Sequence, residues 1–104
     1  MEYRALLTES AQRTGNIVCM GLDPIAEALP FQGGDFFDNA LKSFEALFSM
    51  MEDQSLLPSA FKPNIGYWQI HDRPLVGAFR GSLALAEVLK MLRTRFADTP
   101  VILD

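Results

Sequence analysis

The chain is short of the residues that would settle its chemistry at once. It has one cysteine, one histidine and one tryptophan, and its 9 Lys and Arg are outnumbered by 13 Asp and Glu. A single cysteine cannot form an internal disulfide, and Cys19 lies in an apolar run, so it reads as a buried structural thiol. The lone histidine, His71, sits in the polar stretch His71-Asp72-Arg73-Pro74 and reads as a surface residue rather than a catalytic one. A net charge of -4 leaves no basic face for nucleic acid. It does not exclude a small anionic ligand, because a pocket sets its own local field. No apolar run approaches the ~20 residues that cross a bilayer, so no membrane partner is expected. The start, Met1-Glu2-Tyr3-Arg4, lacks a basic segment followed by an apolar stretch. A soluble cytoplasmic chain is the expectation.

What is present is ordinary globular material. Hydrophobic content of 49% with 21% charged residues is wrong for a disordered chain, and 104 residues allow at most one domain.

Three apolar runs stand out by how they end. Ile17-Val18-Cys19-Met20-Gly21-Leu22 runs into Asp23, which a proline follows. Ala60-Phe61 runs into Lys62, again followed by a proline. Pro100-Val101-Ile102-Leu103 runs into Asp104. Each reads as a short strand, apolar throughout rather than alternating, as suits parallel strands buried on both faces. A lysine at such a place needs a paired charge, so Lys62 implies acidic neighbours, and Asp23 and Asp104 lie at equivalent strand ends. With neighbouring strands ~4.8 Å apart the three side chains can meet. At ~4 Å an opposite-charge pair is worth ~4 kcal/mol at an effective dielectric near 20. A satisfied ion network without chemistry would also explain one such end. Three in succession favour a functional site, because buried charge is costly.

Helices separate the strands. Residues 2–14 place Tyr3, Leu6, Leu7 and Ala11 on one face, with Gly15-Asn16 as the stop. Asp35 is a good N-cap for a second helix reaching Glu52, in which Phe37, Ala40, Leu41, Phe44, Leu47, Phe48 and Met51 form a wide apolar face. After Pro63 a helical turn covers 65–70, and Asn64 either orients substrate or caps that turn. A third long helix starts between Gly77 and Ser82 and buries Leu85, Leu89, Leu92 and Phe96, with Val88 at the edge. Tyr67 and Trp68 receive no role from the sequence alone.

Strand and helix alternating through long crossovers predict an α/β fold with parallel strands and helices outside. Three parallel strands without closing elements leave apolar edges, and a (β/α)8 TIM barrel needs ~250 residues. Residues 1–104 are therefore expected to form a single partial domain, the N-terminal three strands of such a barrel. In parallel α/β folds the site lies at the carboxyl ends of the strands, where Asp23, Lys62 and Asp104 fall.

Met20-Gly21-Leu22-Asp23-Pro24, Phe61-Lys62-Pro63-Asn64 and Val101-Ile102-Leu103-Asp104, in this order and spacing, resemble the first three strand motifs of orotidine 5'-phosphate decarboxylase. The Phe-Lys-Pro-Asn form points to the longer-chain bacterial and archaeal branch. The resemblance implies a TIM barrel that works as a homodimer and turns orotidine 5'-monophosphate into UMP and CO2 in pyrimidine biosynthesis, with neither metal nor organic cofactor. It implies that Asp23 contacts the ribose hydroxyls and that Lys62 contacts ribose and joins a charged network. Asp104 matches the first member of a motif of aspartate, any residue, lysine, two residues, aspartate.

The motif's lysine, which in the family stabilises the carbanion and delivers the proton, falls two places beyond Asp104. The remaining barrel would have to supply it, together with the phosphate site, and the 104 residues alone are expected to be inactive. Two alternatives stay open. One is a metal-dependent phosphosugar enzyme of the same suprafamily, such as a hexulose-phosphate synthase. The other is a non-catalytic fragment that docks on a complementary chain.

Overall fold

The computed structural model describes residues 3–104. Along the chain run helix α1 (Tyr3–Thr14), strand β1 (Cys19–Leu22), helix α2 (Phe36–Asp53), strand β2 (Ala60–Pro63), helix α3 (Ile65–Gln69) and helix α4 (Arg80–Arg95). Single 3-10 turns occupy Ala26–Ala28 and Pro74–Val76. Helix α2 starts where its capping residue dictates: the Asp35 carboxylate accepts from the Asp38 backbone N–H at 2.9 Å. It ends in a left-handed turn at Ser55 (φ 55°), with the Leu56 N–H returning to the Met51 carbonyl.

Strands β1 and β2 are parallel and pair Cys19 with Ala60, Met20 with Phe61, Gly21 with Lys62 and Leu22 with Pro63. The expected third strand is not formed. Val101 makes an isolated parallel bridge to Phe61 in an otherwise two-stranded sheet. The stretch still lies alongside β2: the Ile102 N–H donates to the Phe61 carbonyl at 2.8 Å and the Asp104 N–H to the Pro63 carbonyl at 3.1 Å. The Phe61 N–H donates to the Pro100 carbonyl at 3.0 Å, but the next donor on that side of β2 would be residue 63, a proline without an N–H, so the ladder does not extend beyond the single bridge.

The core lies on one side of this sheet. Phe48 from α2, Phe61 from β2, and Ala84 and Val88 from α4 are fully enclosed. The Phe61 ring centroid lies 6.0 Å from that of Phe48 and 5.1 Å from that of Phe96. Such tilted and edge-on aromatic contacts add to the area they bury. Val88, expected at the edge of the α4 face, is at its centre, and Leu89 is only half-buried. Leu85, Leu92 and Phe96 stay buried as expected, and Gly81 and Ala84, both small, also face inward, which shifts the buried stripe toward Val88.

The opposite face of the sheet is open, contrary to the expectation of strands buried on both sides. Cys19 and Gly21 of β1 and Lys62 of β2 are exposed. Cys19 is thus not a buried thiol. Ile17, expected as the first residue of the strand, is 90% exposed and outside it. Both departures have one cause. Helices α2 and α4 cover a single face, so alternate strand residues have nothing to pack against. Helix α1 also differs from expectation: Tyr3 is exposed, and the one buried residue is Ser10, whose hydroxyl donates to the Ser59 carbonyl at 2.7 Å.

Candidate functional site

The carboxyl ends of β1 and β2 and the 101–104 stretch meet around a hollow of about 330 Å³ lined by Cys19, Gly21, Asp23, Lys62, Asn64 and Asp104. The local sequence explains how each arrives there. Pro24 follows Asp23 and Pro63 follows Lys62, and a proline has no N–H with which to extend a ladder. Strand β1 stops at Leu22, one residue before Asp23, and β2 runs one residue past Lys62 to Pro63, so the charged residues sit at the rim. The parallel register sets Gly21 opposite Lys62, so a residue without a side chain faces the longest side chain of the site.

The Lys62 ammonium lies 3.4 Å from Asp104 Oδ2. The two side chains are 46% and 60% exposed, so Lys62 is not the buried ammonium expected from the sequence. Water screens the pair, and its contribution falls from the ~4 kcal/mol anticipated to under ~1 kcal/mol. Asp23 is held differently from the expectation as well. It makes no ion pair with Lys62 among the described residues. Its Oδ1 accepts the Asn64 backbone N–H at 3.1 Å. The Asn64 side chain accepts in turn from the Gly66 N–H at 3.2 Å, capping α3. Of the two sequence readings of Asn64, the cap is present, and the same residue also lines the hollow.

Sequence reasoning missed two members. Cys19 was assigned to the core, although its alternation with Gly21 and Asp23 places all three on one face. Gly21 could have been found from its type, since glycine inside a strand marks a close approach. A Cβ built on Gly21 would lie 3.1 Å from Asp23 Oδ2, so the carboxylate folds back over this residue.

Trp68 and His71 stand behind the site, not in it. The Trp68 ring is fully buried, and its indole N–H donates to the Leu22 carbonyl at 3.0 Å. His71 is not a plain surface residue: its ring stacks on Phe36 with centroids 3.6 Å apart and 10° between planes. Burial pushes its pKa below the ordinary 6.5, and the Arg73 cation adds to this against the opposing pull of Glu27 and Asp72. Asp72 accepts from the Ser82 backbone N–H at 2.9 Å and from the Ser82 hydroxyl. Burial pushes its pKa up, but the Ser82 hydroxyl, the Ser82 N–H and the Gly81 N–H together hold it below the usual carboxylate value of 3.8.

Among the described residues no three His, Cys, Asp or Glu side chains gather as a metal site. None of the described helices is long and apolar enough to cross a membrane.

No protein-family model matches the chain. Curated relatives match it over all 104 residues, and all bear the name orotidine 5'-phosphate decarboxylase. The protein from Verminephrobacter eiseniae is 31% identical, that from Methylibium petroleiphilum 29% and that from Variovorax paradoxus 27%. In each case the match covers 100% of this chain and 34% of the relative, so the chain spans about a third of their length. The solved structure of Leishmania donovani UMP synthase aligns over 100% of this chain and 18% of that one, with a TM-score of 0.61 and 30% identity. Along its whole length, this chain resembles an N-terminal portion of orotidine 5'-phosphate decarboxylase.

Proposed function

We propose that the chain supplies the ribose-binding and charged edge of an orotidine 5'-monophosphate decarboxylase site, completed by polypeptide equivalent to the other two thirds of its relatives. The observation that carries this reading is the gathering of Asp23, Lys62, Asn64 and Asp104 around one hollow at the strand ends. These residues stand in the order that the resemblance requires. The open sheet face supports the need for further polypeptide. So does an apolar groove of about 700 Å³ beside β1, lined by Val18, Met20, Leu47, Met50, Leu56 and Leu57 among others. Residues 1–104 are on this reading the opening portion of a TIM barrel, and the assembled protein acts as a cytoplasmic homodimer on a nucleotide, without metal or organic cofactor.

Asp23 keeps one carboxylate oxygen for the Asn64 N–H and offers the other to the ribose hydroxyls. Lys62 reaches the ribose from the other side and holds Asp104 in place. Asp104 presents negative charge to the carboxylate of the pyrimidine, a repulsion that is relieved as CO2 departs. The bond from C6 to the carboxylate breaks and its electron pair stays on C6. An ammonium beside that carbon stabilises the pair and then protonates it, an interaction stronger in the transition state than in the ground state. That ammonium belongs to the motif's lysine, which the completing polypeptide provides.

The test is reconstitution. The chain is assayed for loss of orotidine 5'-monophosphate alone, and then joined to the remaining two thirds of the Verminephrobacter eiseniae decarboxylase. The expected result is no turnover alone and turnover when joined. Turnover by the 104 residues alone would remove the need for a completing part. No turnover from the joined protein, where the relative's own N-terminal third restores activity, would overturn the decarboxylase reading.

A further inference from the structure

The hydrogen bonds at the end of β1 do not follow the ladder. The Ala60 N–H donates to the Val18 carbonyl at 3.2 Å. Parallel pairing repeats every two residues along each strand. From Val18 and Ala60 that period leads to Met20 with Lys62 and then to Leu22 with Asn64. The ladder would therefore carry the Asn64 N–H to the Leu22 carbonyl. The Asn64 N–H is turned instead to Asp23 Oδ1, 3.1 Å away. The Leu22 carbonyl is taken by the Trp68 indole N–H at 3.0 Å, in a buried bond.

We propose that Trp68 is a positioning residue for the Asp23 carboxylate: by satisfying the Leu22 carbonyl, it releases the Asn64 N–H to hold Asp23 over Gly21. A buried carbonyl needs a donor, so the Asn64 N–H can leave the ladder only where another donor replaces it. An indole suits this role because it donates one hydrogen bond and accepts none. Its direction is fixed, because the ring is enclosed by Phe36 at 6.1 Å and Phe44 at 5.4 Å between centroids. The backbone of Trp68 is fixed too. It lies so close to Gly81 that no side chain fits between them. The packing of α3 against α4 thus reaches the β1 end through one ring nitrogen. With Oδ1 committed to the backbone, Oδ2 lies at the Gly21 side of the hollow, free to accept a ligand hydroxyl. That the hydroxyl belongs to a ribose rests on the nucleotide reading above; the positioning does not.

Scalar couplings across hydrogen bonds, measured by NMR on the isotope-labelled chain without ligand, test the arrangement directly. In the unsubstituted chain the Asn64 amide nitrogen is expected to couple to the Asp23 carboxyl carbon, and the Trp68 ring nitrogen to the Leu22 carbonyl carbon. In Trp68→Phe, which keeps an aromatic ring and removes the N–H, the Asn64 coupling is expected to transfer to Leu22. A merely structural tryptophan would leave that coupling where it was. An Asn64 coupling to Leu22 in the unsubstituted chain overturns the proposal, as does an Asn64–Asp23 coupling that survives Trp68→Phe. If the substituted chain fails to fold, the couplings of the unsubstituted chain decide alone. No nucleotide is present, so failure here is distinct from failure of the decarboxylase reading.

Discussion

The backbone of Gly81, in the first turn of α4, lies directly against the carbonyl oxygen of Trp68 in α3. The contact is backbone on backbone, and neither partner can swing aside as the end of a flexible side chain would. It sets how closely α3 and α4 pack, and with them the anchor behind the β1 end.

Replacing Gly81 by alanine should therefore destabilise the chain by about 3 kcal/mol, the upper end for overpacking, because the relief must come from moving a helix. Gly33, around which a Cβ would meet nothing within 4 Å, is the control. Gly33→Ala should change stability by less than about 0.5 kcal/mol. Urea unfolding of the two variants beside the parent checks both values. A near-neutral Gly81→Ala would mean that α3 and α4 are not locked at this point.

Asp72 caps α4 from outside the helix, since Phe79, at the N-cap position, offers no side-chain cap. Asp72→Ala should cost about 1 kcal/mol, as for other caps, and it strips the Ser82 N–H and hydroxyl of their acceptor. The pH dependence follows from the lowered pKa. The folded state holds this proton more weakly than the unfolded state, so the stabilisation is complete above the ordinary 3.8. It is lost as pH falls through the lower folded value. Denaturant titrations across that acid range should show a steeper loss in the parent than in Asp72→Asn.

His71 has the same direction of shift but the opposite charge on protonation. The stacked, partly buried ring favours the neutral form, and its folded pKa lies below 6.5. The unfolded chain binds the proton more readily between the two values, so stability rises with pH through that window, and the penalty is full below the folded value. His71→Phe keeps a ring on Phe36 and removes the titration. Between about pH 8 and about pH 5 its unfolding midpoint should fall less than that of the parent. An NMR titration of His71 with a midpoint above 6.5 would contradict the assignment.

The Lys62–Asp104 pair should separate stability from function. Both side chains are about half exposed, so Lys62→Met and Asp104→Asn should each shift unfolding by no more than about 0.5 kcal/mol. In the reconstituted enzyme the same changes should lower kcat/KM by a hundredfold or more, about 2.7 kcal/mol, if the pair faces the reacting carboxylate. Variants that lose stability and keep activity would assign the pair to structure.

Much of this chain is written in local sequence. The Asp35 cap and the spacing from Phe37 to Met51 determined α2, because capping and a 3.6-residue apolar period act within a single element. Proline at 24 and 63 marked the strand ends to within a residue for an equally local reason, since neither can donate to a ladder. The motifs around Asp23, Lys62 and Asp104 were legible as a set because they recur in order along the chain. Tertiary structure alone decided what lay between elements. Whether 101–104 became a strand depended on pairing partners, and one bridge at Val101 was the outcome. Whether Cys19 was buried depended on which sheet face the helices cover, something its apolar neighbours do not encode. Lys62 kept its partner Asp104 but not its burial, since exposure is set by what stands across the hollow. The replacement of a ladder bond by the Trp68 indole joins residues 22, 64 and 68 in space. No periodicity within one segment could have announced it.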